Sequence, residues 1–120
     1  MPARQGFGMV YESPQGPGTG AAIDMAQLAR QTLGDTQLQR EVLALFTRQI
    51  EDAAMSLKKG NATERRRIAH GLKGTARSLG ANRLAACAEQ IEAFPEEDRF
   101  VADMAAAVRE TVVFIAKLAS

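Results

Sequence analysis

Cysteine and histidine occur once each in the 120 residues, as Cys87 and His70. A single thiol forms no internal disulfide, and its place in an apolar helical stripe reads as a packed thiol in a reducing compartment. One histidine without a cysteine pair offers no metal cage. No serine or cysteine stands where it could use His70 as its base, which excludes the nucleophile triads. No apolar run approaches membrane-spanning length and the N-terminus has no hydrophobic leader region, so the expected location is the cytoplasm, with no membrane partner. Fifteen basic residues against fourteen acidic ones leave a formal charge of +1, too little to draw the chain toward nucleic acid. The one basic run, Arg65-Arg66-Arg67, has no aromatic platform beside it. No stretch alternates as a strand does, and the glycines between Met1 and Gly20 precede no strand, so they form no nucleotide-cradling loop.

What remains is helical periodicity. Residues 1–22, rich in glycine and proline, bury no face of their own and are expected to form a flexible tail, unless Phe7, Met9, Val10 and Tyr11 dock across the domain or onto a partner. Residues 23–120 are expected to form one domain. Asp24 with Gln27 has the spacing of a capping box, and Ile23 with Leu28 that of a hydrophobic staple, opening a short helix to about Leu33 that Gly34 stops. Thr36 with Gln39 offers a second box. Behind it Leu38, Val42, Leu45, Phe46, Ile50, Ala53 and Leu57 mark one face of a helix of roughly 35 Å ending before Gly60. Asn61 and Glu64 form a third box and open a helix that Gly80 closes. Asn82 to about Ala93 follows, with Leu84, Cys87, Ala88 and Ile91 as its stripe. The last helix is expected from near Pro95, with Glu96, Glu97 and Asp98 set against the dipole and Phe100, Met104, Val108, Val112, Ile115 and Leu118 buried. The expected fold is all-α: an antiparallel up-and-down four-helix bundle with a short additional N-terminal helix over one end.

At about 100° per residue, Ile68, Leu72, Thr75, Ala76 and Leu79 share the inner side of the third helix. Thr63, Arg66, Arg67, His70, Lys73, Gly74 and Arg77 share the outer one. The histidine thus lies on a polar face with a lysine one turn on and Arg77 about two turns on. A mid-helix glycine costs roughly 1 kcal/mol relative to alanine, so Gly71 and Gly74 beside the histidine suggest that something bulky approaches it, and a side chain at 74 is expected to crowd the imidazole. An exposed imidazole with cationic neighbours suits a transferable anion such as a phosphoryl group. The rise from His70 to Leu79 roughly equals the return from Asn82 to Glu92, at about 1.5 Å per residue. Glu92 should therefore arrive level with His70, where its carboxylate could accept from Nδ1–H and leave the Nε2 lone pair outward as a nucleophile.

His70, Leu72, Lys73, Gly74, Ala76, Leu79, Gly80, Ala81, Leu84, Cys87, Ile91 and Glu92 stand in the register of a known pattern. In these residues, and more loosely from Ile23 to Leu118, the chain resembles the histidine-containing phosphotransfer (HPt) domains of phosphorelays. It departs from that pattern at Gly71, where a small or hydroxylated residue is expected, and at Arg77, where small or amide side chains are common.

The resemblance implies a phosphoryl group carried on His70, received from and passed to aspartates of response-regulator receiver domains, with a hybrid histidine kinase upstream. It implies no cofactor of the protein's own and Mg²⁺ on the partner receiver. Lys73 and Arg77 would stabilise charge on the moving phosphoryl oxygens, and Glu92 would orient the ring. Arg65, Arg66 and Arg67 read as solvated side chains partly balanced by Glu64, unless Arg66 and Arg67, on the histidine face, help meet an acidic receiver site. By periodicity Met25 and Leu28 read as core, whereas the resemblance implies that the first two helices flank the histidine with an apolar receiver-binding patch. The expectation is a freestanding, monomeric phosphoryl carrier without an ATP site, not an enzyme in its own right. Two other readings stand beside it: a helical adaptor that binds a receiver or kinase without phosphate, and a detached phosphoacceptor module of a chemotaxis-type kinase.

Overall fold

The computed structural model describes residues 21–119, so the expected tail lies outside the described residues except for Ala21 and Ala22. The described residues form five helices and no strand: α1 Met25–Gln31, α2 Thr36–Lys59, α3 Ala62–Ser78, α4 Asn82–Ala93 and α5 Asp98–Ala119. None of these helices is long and apolar enough to cross a membrane.

The helix starts show which polar groups satisfy the free backbone donors. Asn61 and Glu64 form a complete capping box, each side chain accepting from the other's backbone N–H at 2.9 Å. At α1 only half the expected box exists. The Asp24 carboxylate accepts from Ala26 N–H and Gln27 N–H, while the Gln27 amide reaches across to the carbonyl of Arg77. At α2 the cap is Asp35, accepting from Leu38 N–H at 3.0 Å. Thr36 is already helical, and Gln39 donates to Thr32 Oγ1 at 3.1 Å. A carboxylate one residue upstream carries full charge to the helix dipole, which a threonine hydroxyl cannot. Pro95 is likewise outside α5: it occupies a turn after α4, closed by Glu97 N–H donating to the Phe94 carbonyl at 3.1 Å, and α5 starts at Asp98.

Each of the four long helices packs against two others in a ring, α2 on α3, α3 on α4, α4 on α5 and α5 on α2, and α1 adds to α3. Within it Phe46, Ile50, Leu57, Ala69, Leu72, Ala76, Leu84, Ala88, Ile91, Met104 and Val108 are buried. Along α2 the buried face is turned from the expected one: Leu43 is inside, while Leu38 and Leu45 are 41% and 59% exposed. Leu38 and Leu45 fall about 80–100° from Phe46 on the side away from Leu43, which places them on the flank of the stripe. In α5, Val101, Ala107 and Thr111 join the core while Leu118 faces solvent. Cys87 is half-buried, and burial pushes its thiol pKa up.

Gly80 fixes how α1 meets the rest. It has φ +81°, its carbonyl accepts from Asp24 N–H at 2.9 Å, and a Cβ there would lie 2.8 Å from the Asp24 carbonyl oxygen. No side chain fits that approach, so the glycine that ends α3 also lets the start of α1 dock on it.

Candidate functional site

His70 stands in the middle of α3 with 71% of its side chain exposed. Its Nδ1 lies 2.7 Å from Oε2 of Glu92, in the last turn of α4. Lys73, one turn further along α3, donates from Nζ to the other carboxylate oxygen at 2.6 Å. Lys73 first and His70 second hold the Glu92 carboxyl below its ordinary pKa. An ionised carboxylate only accepts, so the proton of this contact sits on Nδ1, and Nε2 faces away from Glu92. The imidazole is thereby oriented without being buried.

The other site candidates are placed as follows. Arg66 is exposed, and its Nε–H donates to the backbone carbonyl of Glu92 at 3.2 Å. Arg67 turns to the opposite flank, along a cleft with Ser56, Lys59, Gly60, Glu64 and Ile68. Arg77 pairs with Glu89 at 3.6 Å, both side chains more than half exposed, and seven residues of helix set it about 10 Å along the axis from His70. Lys73 is not a free cation waiting beside the ring; it is four-fifths covered and bonded to Glu92. Gly74 is exposed, and a Cβ on it would meet nothing within 4 Å, as at Gly71. The expected crowding of the imidazole by a side chain at 74 is therefore absent in the isolated protein. What the two glycines leave is a bare strip of helix beside His70.

Of the two α1 candidates only Met25 reaches the surface, at 38% exposure; Leu28 is wholly buried and serves the core. The apolar side chains that sequence reasoning missed for this face are Leu38 and Leu45, assigned above to the buried stripe. Leu45 lines a cleft of about 300 Å³ with Gln31, Val42, Phe46, Gln49, Thr75, Ser78 and Leu79, alongside the C-terminal half of the histidine helix. The available signal was their position at the edge of the stripe, about 80–100° from Phe46.

Arg65 departs furthest from its expected place. Rather than a solvated member of a basic run, it is buried: Nε–H donates to the Leu57 carbonyl at 2.8 Å, one terminal nitrogen to the Pro95 carbonyl at 3.0 Å, and the other pairs with Asp98 at 3.0 Å.

An outward imidazole nitrogen, a carboxylate fixing its partner nitrogen and a bare helix strip beside it are the requirements of a group carrier that works on a second protein. The family model for the Hpt domain matches residues 25–113, which include every one of these features. The chain belongs to the Hpt domain family. Hpt domains perform histidine phosphotransfer in phosphorelays, as phosphoryl carriers that engage receiver domains and kinases. The match runs from the first residue of α1 into the last third of α5 and takes in all of α1 to α4. No curated protein and no solved structure matches the chain closely enough to add a named relative.

Proposed function

We propose that this Hpt domain carries a phosphoryl group on Nε2 of His70 between aspartates of response-regulator receiver domains. The observation that carries the reading is the exposed His70 ring with Nδ1 held at 2.7 Å by Glu92. In the forward step the Nε2 lone pair attacks phosphorus of a receiver phosphoaspartate in line. The N–P bond forms as the P–O bond to the aspartate breaks, and the carboxylate leaves with the bonding electrons. The product ring is an imidazolium whose Nδ1–H still points at the Glu92 carboxylate, so the same contact that sets the tautomer stabilises the charge that develops. The partner supplies Mg²⁺ and the remaining catalytic groups. Lys73 has two further N–H donors beyond the one on Glu92 and directs them at the phosphoryl oxygens. Arg77 joins it on docking, because an exposed pair such as that with Glu89 is worth only about 0–1 kcal/mol.

The receiver docks over the bare strip at Gly71 and Gly74 and over the apolar points Met25, Leu38 and Leu45, with Arg67 at the rim. The supporting architecture is an antiparallel up-and-down bundle with α1 over one end. Arg66, His70 and Lys73 of α3 meet Glu92 of α4, and Arg77 further along α3 meets the earlier residue Glu89, as antiparallel neighbours do.

The test is transfer from a panel of radiolabelled phospho-receivers to the wild type and to His70→Gln, scoring acid lability. Acid-labile label on the wild type alone is expected. Absence of label from every donor, despite measurable receiver binding, would transfer the assignment to a non-phosphorylated adaptor.

A further inference from the structure

Glu92 does its work from an insecure place. It is the penultimate residue of α4, and the last turn of a helix frays first because its carbonyls lack helical partners. In α4 the problem is compounded by Pro95. The N–H that would continue the ladder to the Ile91 carbonyl does not exist in proline, and the chain leaves the helix at Phe94. Nor does α4 carry a basic residue in its own last turn to answer the negative end of its dipole. A carboxylate on such a turn would not by itself stay within 2.7 Å of an exposed imidazole.

Two adjacent arginines of α3 answer these deficits from outside the helix. Arg66 donates from Nε to the Glu92 carbonyl at 3.2 Å, and Arg65 donates to the Pro95 carbonyl at 3.0 Å while also holding Leu57 and Asp98. Glu92 is thus gripped by backbone from Arg66, one turn before His70, and by side chain from His70 itself and from Lys73, one turn after it. We infer that Arg66, backed by Arg65, is a positioning residue for the phosphoacceptor: it pins the last turn of α4 so that Glu92 keeps Nδ1 protonated and Nε2 free. The basic run is then a brace of the site in its first two members, while Arg67 lies on the other flank of α3. The kinetic part of this inference rests on His70 being the phosphoacceptor; the tautomer part does not.

The experiment compares Arg66→Ala with wild type and with Arg109→Ala, which removes the same charge from an exposed position of α5. Circular dichroism first establishes equal helix content. The tautomer ratio of His70 is then read from its ring ¹⁵N shifts, and transfer from a phospho-receiver is resolved into maximal rate and receiver KM. In Arg66→Ala the ratio should move toward the Nε2–H form by about fivefold, the equilibrium worth of one ordinary hydrogen bond, and maximal rate should fall by a similar factor at unchanged KM. Arg109→Ala should change neither. An unaltered tautomer ratio, or a loss that lies wholly in KM, would overturn the inference and make Arg66 a partner contact. A shifted ratio with undiminished transfer would overturn it as well. If the wild type accepts no phosphoryl group from any receiver, the proposed function falls and the tautomer ratio alone decides whether Arg66 braces Glu92.

Discussion

Arg65 is the residue whose replacement the structure prices most clearly. In Arg65→Met the side-chain stem is roughly conserved, so little packing is lost, but the carbonyls of Leu57 and Pro95 lose their guanidinium donors in a buried setting. Hydrogen bonds to a charged group are worth about 1.5–3 kcal/mol each when the partner is left unsatisfied. The ion pair to Asp98 adds little, because Asp98 is 88% exposed and such pairs contribute about 0–1 kcal/mol. The expected loss is therefore about 3–6 kcal/mol, carried by the two carbonyls and not by the salt bridge. Against the 5–15 kcal/mol of an ordinary domain that is a large share. Urea denaturation at neutral pH reads it as a lowered midpoint with unchanged slope. Asp98→Asn should cost under about 1 kcal/mol in the same assay. Equal losses in the two variants, or a loss below about 1 kcal/mol in Arg65→Met, would refute the reasoning, since the carbonyls would then not be what the arginine is for.

Gly74→Ala should stabilise the isolated protein by up to about 1 kcal/mol, since its Cβ meets nothing, while raising the KM for a phospho-receiver; thermal melts and transfer kinetics check the two halves. Gly80→Ala should instead destabilise by about 2 kcal/mol, through its positive φ and the 2.8 Å approach to the Asp24 carbonyl, as urea denaturation will show. The Glu92 carboxyl is depressed by Lys73 and then His70, so its stabilising contribution is full above the ordinary glutamate value near 4.3 and disappears as pH falls through its lower folded value. Glu92→Gln should accordingly be less stable than wild type at pH 7, with the gap closing in acid, as paired unfolding curves will measure. Cys87, with its thiol pushed up by burial, should react slowly with a disulfide reagent at pH 8 until urea is added.

The sequence was most legible where a local rule has one solution. Asn61 and Glu64 capped α3 as expected, the bounds of α4 were as expected, and Gly80 ended its helix because only glycine tolerates φ +81° against another backbone. Misplacements occurred where two residues competed for one job. Asp35 took the cap that Thr36 was expected to hold, and Gln27, spaced for a reciprocal bond to Asp24, found an open carbonyl on Arg77 instead. By hydropathy Leu38 and Leu45 are indistinguishable from the buried members of the α2 stripe, although they lie at its edge. A face that serves both a core and a partner is wider than a core needs, and hydrophobicity alone does not say where one ends and the other begins.

The site shows the same division. That Glu92 returns level with His70 follows from helix rise and a short turn, and the 2.7 Å contact agrees with that geometry. What was not legible was the support for it. Yet the signal was present: on a helical wheel Arg65 falls within about 40° of Ala69, Leu72 and Ala76, squarely on the buried stripe. Its charge suggested solvent, whereas its angle put it inside. A permanent cation at a core-facing position survives only where acceptors surround it, and in a helical bundle the unsatisfied acceptors are the carbonyls at helix C-termini. Arg65 therefore had to lie where α2 and α4 end. The end of α4 is where Glu92 must be held, so the residue that most contradicts its charge also marks the part of the fold on which the histidine's orientation depends.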